Sequence, residues 1–276
     1  MKKNYDMFRF IAKCILIPAA AVFIIYELNK AYIPINDQKY LGLLKYGLFD
    51  RDYCEIHVAN LGSSHGAYDF DYGIIAERGY TCFNFAETSQ TYNYDYALLK
   101  EYGKYMSPIS VLFIPVSYFS FNNEVVNSTE EEAMSVRYYR ILSPENIPNY
   151  DPYVDIITNR LPILSAGEDI LKLFPKWEPG LSMIVYAADT GNDVEEFARI
   201  ANDRYSRHFD NKDEYFMPER IEELYDIIAY CQEHEITPVL ITTPFSRYYQ
   251  ELVPLEFLEE FHNTVTAISN DTGVNY

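Results

Sequence analysis

Ile56-His57-Val58-Ala59-Asn60-Leu61-Gly62-Ser63-Ser64-His65-Gly66 is the stretch whose reading decides the fold. Its first six residues are mostly apolar and β-branched or small, which reads as a strand, and glycines bracket the next segment so that the chain can turn sharply. A helix is expected over Tyr68 to Arg78, so strand gives way to tight turn and helix. Downstream the pattern repeats. Cys82 to Ala86 reads as a short strand, and Tyr92, Tyr96, Leu99 and Tyr102 recur at helical spacing in a helix from about Tyr92 to Lys104. Ser110 to Val116 is a strongly apolar strand. Pro218 starts a further helix with Ile221, Leu224, Ile228 and Cys231 on one stripe. The strand Val239 to Thr243 ends at Pro244, Leu255, Leu258, His262, Val265 and Ile268 line another helix, and Gly273 to Tyr276 begin one more strand. Strands alternating with helices predict an α/β domain with an open, mostly parallel sheet covered on both faces.

Between these elements, about 118–215 carries Pro144, Pro148, Pro152, Pro162, Pro175 and Pro179 with acidic patches at Glu130 to Glu132 and Asp193 to Glu196. So long a stretch is not a simple loop, and it is read as an insertion standing over the carboxyl ends of the strands or as a decoration extending the core. Upstream, Lys2, Lys3, Arg9 and Lys13 precede the uncharged run Cys14 to Tyr26. Phe8 to Leu28 makes about 21 residues, enough for one membrane-spanning helix if Arg9 and Lys13 reach back to the headgroups. The basic flank predicts a single-pass cell-membrane protein with its amino terminus inside and everything after about residue 30 outside. A cleaved signal peptide and a buried soluble helix are the competing readings; bulky Ile24, Ile25 and Tyr26 stand where a small-residue cleavage site would follow Ala19 to Ala21. The organisation expected is an anchor over 1–30, a connector over 31–54 and the α/β domain over 55–276.

The 276 residues hold 22 basic and 41 acidic side chains, a net charge of −19, which argues against nucleic acid as a partner. At 49% hydrophobic with 27 tyrosines and 17 phenylalanines, the chain is a folded one rather than an acidic tail. Beyond residue 30 there are 17 basic and 39 acidic residues, net −22, which disfavours a polyanionic substrate unless the cleft is locally positive or metal ions screen it. Of the four cysteines, Cys14 lies in the anchor. Cys54 and Cys82 stand just before two predicted strands and could pair, although three small buried thiols at Cys54, Cys82 and Cys231 are the simpler expectation. Five scattered histidines and no Cys-x-x-Cys leave no zinc or other metal site, and no cofactor is called for.

In an open α/β sheet the ligand site lies outside the carboxyl ends of the strands, where the first strand delivers Gly62 to Gly66. A serine at a helix start exposes its hydroxyl while its own N–H can face an oxyanion, so Ser64 is the candidate nucleophile. On local sequence alone, Ser63 or Ser64 acting as a helix cap explains the triplet equally well. The order of a nucleophile elbow and the Gly-Lys of a Walker motif are both missing.

Asn60 to His65, Cys82-Phe83-Asn84-Phe85-Ala86 with Ser89-Gln90, Val111 to Pro115, and Pro238 to Pro244 together resemble the SGNH/GDSL hydrolase superfamily, and within it the membrane-anchored DltD-like branch. The resemblance covers about 55–117 and 217–276 and leaves the insertion unexplained. It implies a flavodoxin-like, three-layer α/β/α fold with Gly62, Ser63 and Ser64 as the first block and Ser64 as nucleophile. It also implies an oxyanion or substrate pocket to which this chain offers Gly62, Ser63, His65, Ser89, Gln90 and Ser117. His65 stands where the branch often has an acidic residue, and is read as lining the pocket; His208 and His262 are read as structural or surface groups. The superfamily's Asp-x-x-His block is absent, and the chain is expected to be a fragment whose Asp and His lie a few tens of residues further on. The function implied by the resemblance is that of an ester hydrolase or O-acyltransferase acting on an acylated cell-envelope carbohydrate or polymer, with a membrane-bound O-acyltransferase as a possible partner. The alternative is a non-catalytic envelope protein that uses the groove for binding.

Overall fold

A computed structural model describes residues 2–49, 55–122, 135–174, 194–210 and 214–276, with side chains of the first helix described at Met7 and from Phe10 onward. The described chain falls into two compact units, one formed by residues up to 45 with 151–174, the other by the remainder.

In the first unit, helix α1 (Lys2–Asp37) runs 36 residues through Pro18 and Pro34. It contains an 18-residue window of mean hydropathy 2.0 that none of the described residues buries, so it is long and apolar enough to cross a membrane. Beyond the apolar run one stripe is covered: Asn29, Tyr32 and Asn36 recur at three and four and are buried. The segment Pro152–Leu173, a series of short helical turns, supplies that cover.

The second unit is built on four parallel strands, β1 (Ile56–Asn60), β2 (Cys82–Asn84), β3 (Met106–Pro115) and β4 (Thr237–Ile241), in the order β2-β1-β3-β4. Asn275 bridges Val239 in parallel, its carbonyl accepting from Leu240 N–H at 2.9 Å, so the start of another strand expected at Gly273 to Tyr276 does sit on the outer edge of β4. Between the strands lie helices α2 (Ser64–Tyr68), α3 (Gly73–Glu77), α4 (Tyr92–Tyr102), α5 (Val194–Phe209), α6 (Pro218–Glu233) and α7 (Leu255–Thr272). Pairing is direct at Val58↔Val111, but Ile56 pairs with Met106, so β3 takes in extra residues around Pro108, whose missing N–H cannot join a ladder. Leu112 and Ile114 on β3 and Leu240 on β4 point to a fully closed face. Val111, Phe113, Val239 and Ile241 on the other face are only half-buried, with Phe70 against Phe113 among their neighbours. The expected cover on both faces is thus complete on one side and partial on the other among the described residues.

Three local expectations are corrected. The single helix over Tyr68 to Arg78 is two short helices, because Asp71 accepts the Gly73 N–H at 2.9 Å and Tyr72 is held by a hydrogen bond to Asn60, which breaks the run between them. His262 is exposed rather than core-facing: the buried stripe of α7 is Phe257, Phe261, Val265 and Ile268, and two phenylalanines bury more area than Leu255, which is 67% exposed. Of the thiols, Cys231 is fully buried, but Cys82 is half-buried, its thiol 3.6 Å from the Tyr80 carbonyl. Cys54, and with it the possible Cys54–Cys82 pairing, lies outside the described residues.

Candidate functional site

The carboxyl ends of β1 and β3 are adjacent, while the chain leaving β1 through α2 goes on to β2 at one edge of the sheet and the chain leaving β3 through the 116–122 turn goes on to β4 on the other side. Such a divergence point in a parallel sheet opens a crevice. After Asn60, Leu61 is still tied to the sheet through its N–H on the Phe113 carbonyl at 3.0 Å. Gly62 then adopts φ 110°, a left-handed conformation that an L side chain would strain. Ser63 occupies the N-cap position of α2 without making a side-chain capping bond, so the purely capping explanation of the serine pair loses its usual hydrogen bond.

Three side chains from separate elements clamp this turn. Asn60 Nδ2 donates to the carbonyls of Leu61 at 3.0 Å and Gly66 at 2.8 Å, and its Oδ1 accepts from the Tyr72 hydroxyl at 2.6 Å. Asn84 Nδ2 donates to the Gly66 carbonyl at 2.9 Å. Asp95 Oδ1, from the first turn of α4, accepts the Gly62 N–H at 2.9 Å and the Gln90 amide at 2.5 Å. Gly66 is required for this closeness: a Cβ there would overlap the Leu61 carbonyl oxygen and stand 2.7 Å from Ala86 Cβ. Because Gly62 N–H is taken up by Asp95, the N–H groups left for a ligand at this turn are those of the first turn of α2, which have no intrahelical acceptor.

Asp95 is 1% exposed, and burial, the dominant cause, drives its carboxyl up to about 7 against the pull of the Gly62 and Gln90 donors, with Glu223 adding a small push in the same direction. Its second oxygen has no partner among the described residues. Gln90, also buried, carries the network outward: its Nε2 reaches the Phe85 carbonyl at 3.2 Å and its Oε1 accepts from the buried Tyr138 hydroxyl at 2.8 Å.

A pocket of about 340 Å³ of empty space, open to solvent, lies where three strand ends meet. Its walls are Gly62 and Ser63 after β1, Gln90 to Tyr92 with Asp95 after β2, and Pro115, Phe119, Ser120 and Asn122 after β3. Gly62, Ser63 and Gln90 are therefore brought together in its wall. Ser64 is half-buried at the head of α2, one residue beyond the wall, and no described side chain hydrogen-bonds to it. His65 turns to Ser117, its Nδ1 2.8 Å from the Ser117 hydroxyl, with its ring edge against Phe119 and Phe245. Burial lowers the His65 pKa below its ordinary value of 6.5, the nearby Asp69 only partly opposing it. Ser117 is 2% exposed and its N–H is bound by Ser120 Oγ at 2.8 Å. Ser89 is an exposed turn residue at φ 55°, away from the pocket wall. His208 is buried, its Nδ1 2.7 Å from the Tyr249 hydroxyl.

Sequence reasoning missed Asp95 and Asn122. For Asp95 a signal was there: an acid at position i+3 from Tyr92 on the stripe that continues through Leu99 and Tyr102, the face that must be buried. Among the described residues no group of His, Cys, Asp and Glu is arranged to hold a metal ion. Comparison with protein-family models, with curated proteins and with solved structures finds no match to this chain.

Proposed function

We propose that this chain is a membrane-tethered, serine-dependent ester hydrolase or O-acyltransferase of the SGNH type, near the DltD-like branch, that acts on an acylated cell-envelope carbohydrate or polymer. The observation that carries the reading is the position of Ser64: the head of a helix directly after a positive-φ glycine and its neighbouring serine, at the carboxyl end of β1 and beside the pocket. The strand order β2-β1-β3-β4, with Asn275 bridging Val239 of β4, agrees with the start of a flavodoxin-like strand order and supports the same reading. In the proposed reaction the Ser64 hydroxyl attacks the ester carbonyl and a base takes its proton. The oxyanion is met by N–H groups at the start of α2, and collapse expels the alcohol to leave an acyl-serine. Water then releases the acid, or a hydroxyl of the polymer takes the acyl group. In this reading α1 tethers the domain on the outer face of the cell membrane, with the amino terminus inside, and a membrane-bound O-acyltransferase is a partner that would hand over or receive acyl groups.

A second reading, a non-catalytic envelope protein that binds in the groove, is favoured by one observation: His65, the histidine next to Ser64 in sequence, is bonded to Ser117, and no described histidine nitrogen reaches Ser64. Labelling with a fluorophosphonate separates the two. The protein in membranes is compared with Ser64→Ala and Ser63→Ala. Labelling that Ser64→Ala alone abolishes identifies an activated nucleophile; a folded protein that stays unlabelled supports the binding reading.

A further inference from the structure

The apolar run of α1 ends at Glu27, and Asn29 comes two residues later. At 1.5 Å per residue Asn29 sits about 3 Å along the helix beyond that charge. It is 5% exposed, and the partners of its side chain belong to a loop far along the chain. Asn29 Nδ2 donates to the Arg160 carbonyl at 3.0 Å, and Asn29 Oδ1 accepts the Ile163 N–H at 3.2 Å. Asn36, two turns further, donates to the Thr158 carbonyl at 3.4 Å, so the backbone runs down α1 towards the apolar run as it goes from Thr158 to Ile163. The loop 160–165 is therefore the part of this segment held lowest along the helix, level with the end of the apolar run. At that level Arg160 and Leu164 are exposed, Leu164 at 54%.

The polar layer of a bilayer is about 5–8 Å thick on each side of the hydrocarbon core. With the apolar run in the core, a loop fixed about 3 Å past its end lies within that layer rather than in water. We propose that the loop 160–165 is a lipid-contacting foot: Leu164 enters the headgroup–acyl boundary beside α1, and Arg160 lies among the headgroups. The Asn29 clamp converts the depth of α1 into the depth of the loop. The ligand is the bilayer surface itself, engaged mainly through apolar insertion, since Arg160 is already paired with Asp155 at 3.0 Å. The inference rests on α1 spanning the membrane and is independent of any reaction at Ser64.

The test uses the full chain in lipid nanodiscs, with an environment-sensitive fluorescent amino acid placed at Leu164 or, for reference, at Ala20 in the apolar run. Both positions are exposed, so neither replacement disturbs a core. Nitroxide-bearing lipids carry the quencher either near the headgroup or deep in the chain. Expected is loss of the Leu164 signal with the shallow quencher above the deep one, the reverse order at Ala20, and reduced quenching at Leu164 when Asn29→Ala removes the clamp. A Leu164 signal that neither lipid quenches, while Ala20 is quenched, overturns the foot and leaves that loop to water or a protein partner. Loss of quenching at Ala20 overturns it as well, by removing the spanning helix on which it stands.

Discussion

Replacing Asp95 by Asn isolates the buried carboxyl beneath the Gly62 turn. The carboxyl titrates at about 7 in the fold against 3.8 for the ordinary group, with burial as the main cause. Between those values the folded state keeps a proton that the unfolded state has released. Stability from this group is therefore fully present below about pH 4 and is lost as pH rises through about 7. Each pH unit inside the window is worth about 1.36 kcal/mol, so from pH 5 to pH 8 the protein loses about 3 kcal/mol through this group alone. The asparagine of the variant would keep an oxygen to accept from Gly62 N–H and Gln90 Nε2, and would place its amide nitrogen where Asp95 has an unpartnered oxygen. That orphan nitrogen fixes an offset in stability that does not vary with pH. The slope rather than the level thus reports the carboxyl, and His65, whose contribution runs the other way, is common to both proteins and cancels in the difference. Melting of the two proteins in nanodiscs from pH 5 to pH 8 should show the gap between them move by roughly 5–10 °C in favour of Asp95→Asn as pH rises. A gap that stays constant across that range would refute the reasoning, because it would mean that Asp95 carries the same charge throughout and the carboxyl is not sealed from water.

Gly66→Ala should destabilise the domain by about 3 kcal/mol or more, since the added methyl meets the Leu61 backbone oxygen rather than a side chain that can move, whereas Gly47→Ala, where a Cβ meets nothing within 4 Å, should be silent in the same melt. The His65 imidazole should titrate below 6.5 when followed by NMR. Because its folded value lies below the unfolded one, its contribution is present above pH 6.5 and is lost as pH falls through the folded value, and His65→Gln should flatten that part of the stability profile.

The elements that were readable from sequence are those whose determinants are local. The β1 turn announces itself through Gly62 and Gly66, and α6 through Pro218 and its apolar stripe, because φ preferences and side-chain period act within a few residues. Where the reading missed, a distant partner decided. Tyr72, just ahead of α3, is held by Asn60 and keeps α2 and α3 apart, and α7 turns His262 outward because Phe257 and Phe261 find the core. The same distinction runs through the site. Ser64 was visible as a serine shortly after a glycine, but what shapes its surroundings is the trio of Asn60, Asn84 and Asp95, each polar and each from a different element, whose shared grip on the turn no local pattern gives. Their consequence for chemistry is specific. Gly62 offers its N–H to Asp95, so an oxyanion at this turn has to be met from the start of α2 or from the 116–122 turn, and only a substitution that removes the accepting oxygen of Asp95 would release a donor directly into the pocket wall. If Ser64 is a nucleophile, Asp95→Asn should leave its labelling in place, because the variant still accepts from Gly62; Asp95→Ala, which frees that N–H and opens a space beside Gly62, should change the rate of labelling even where the fold survives.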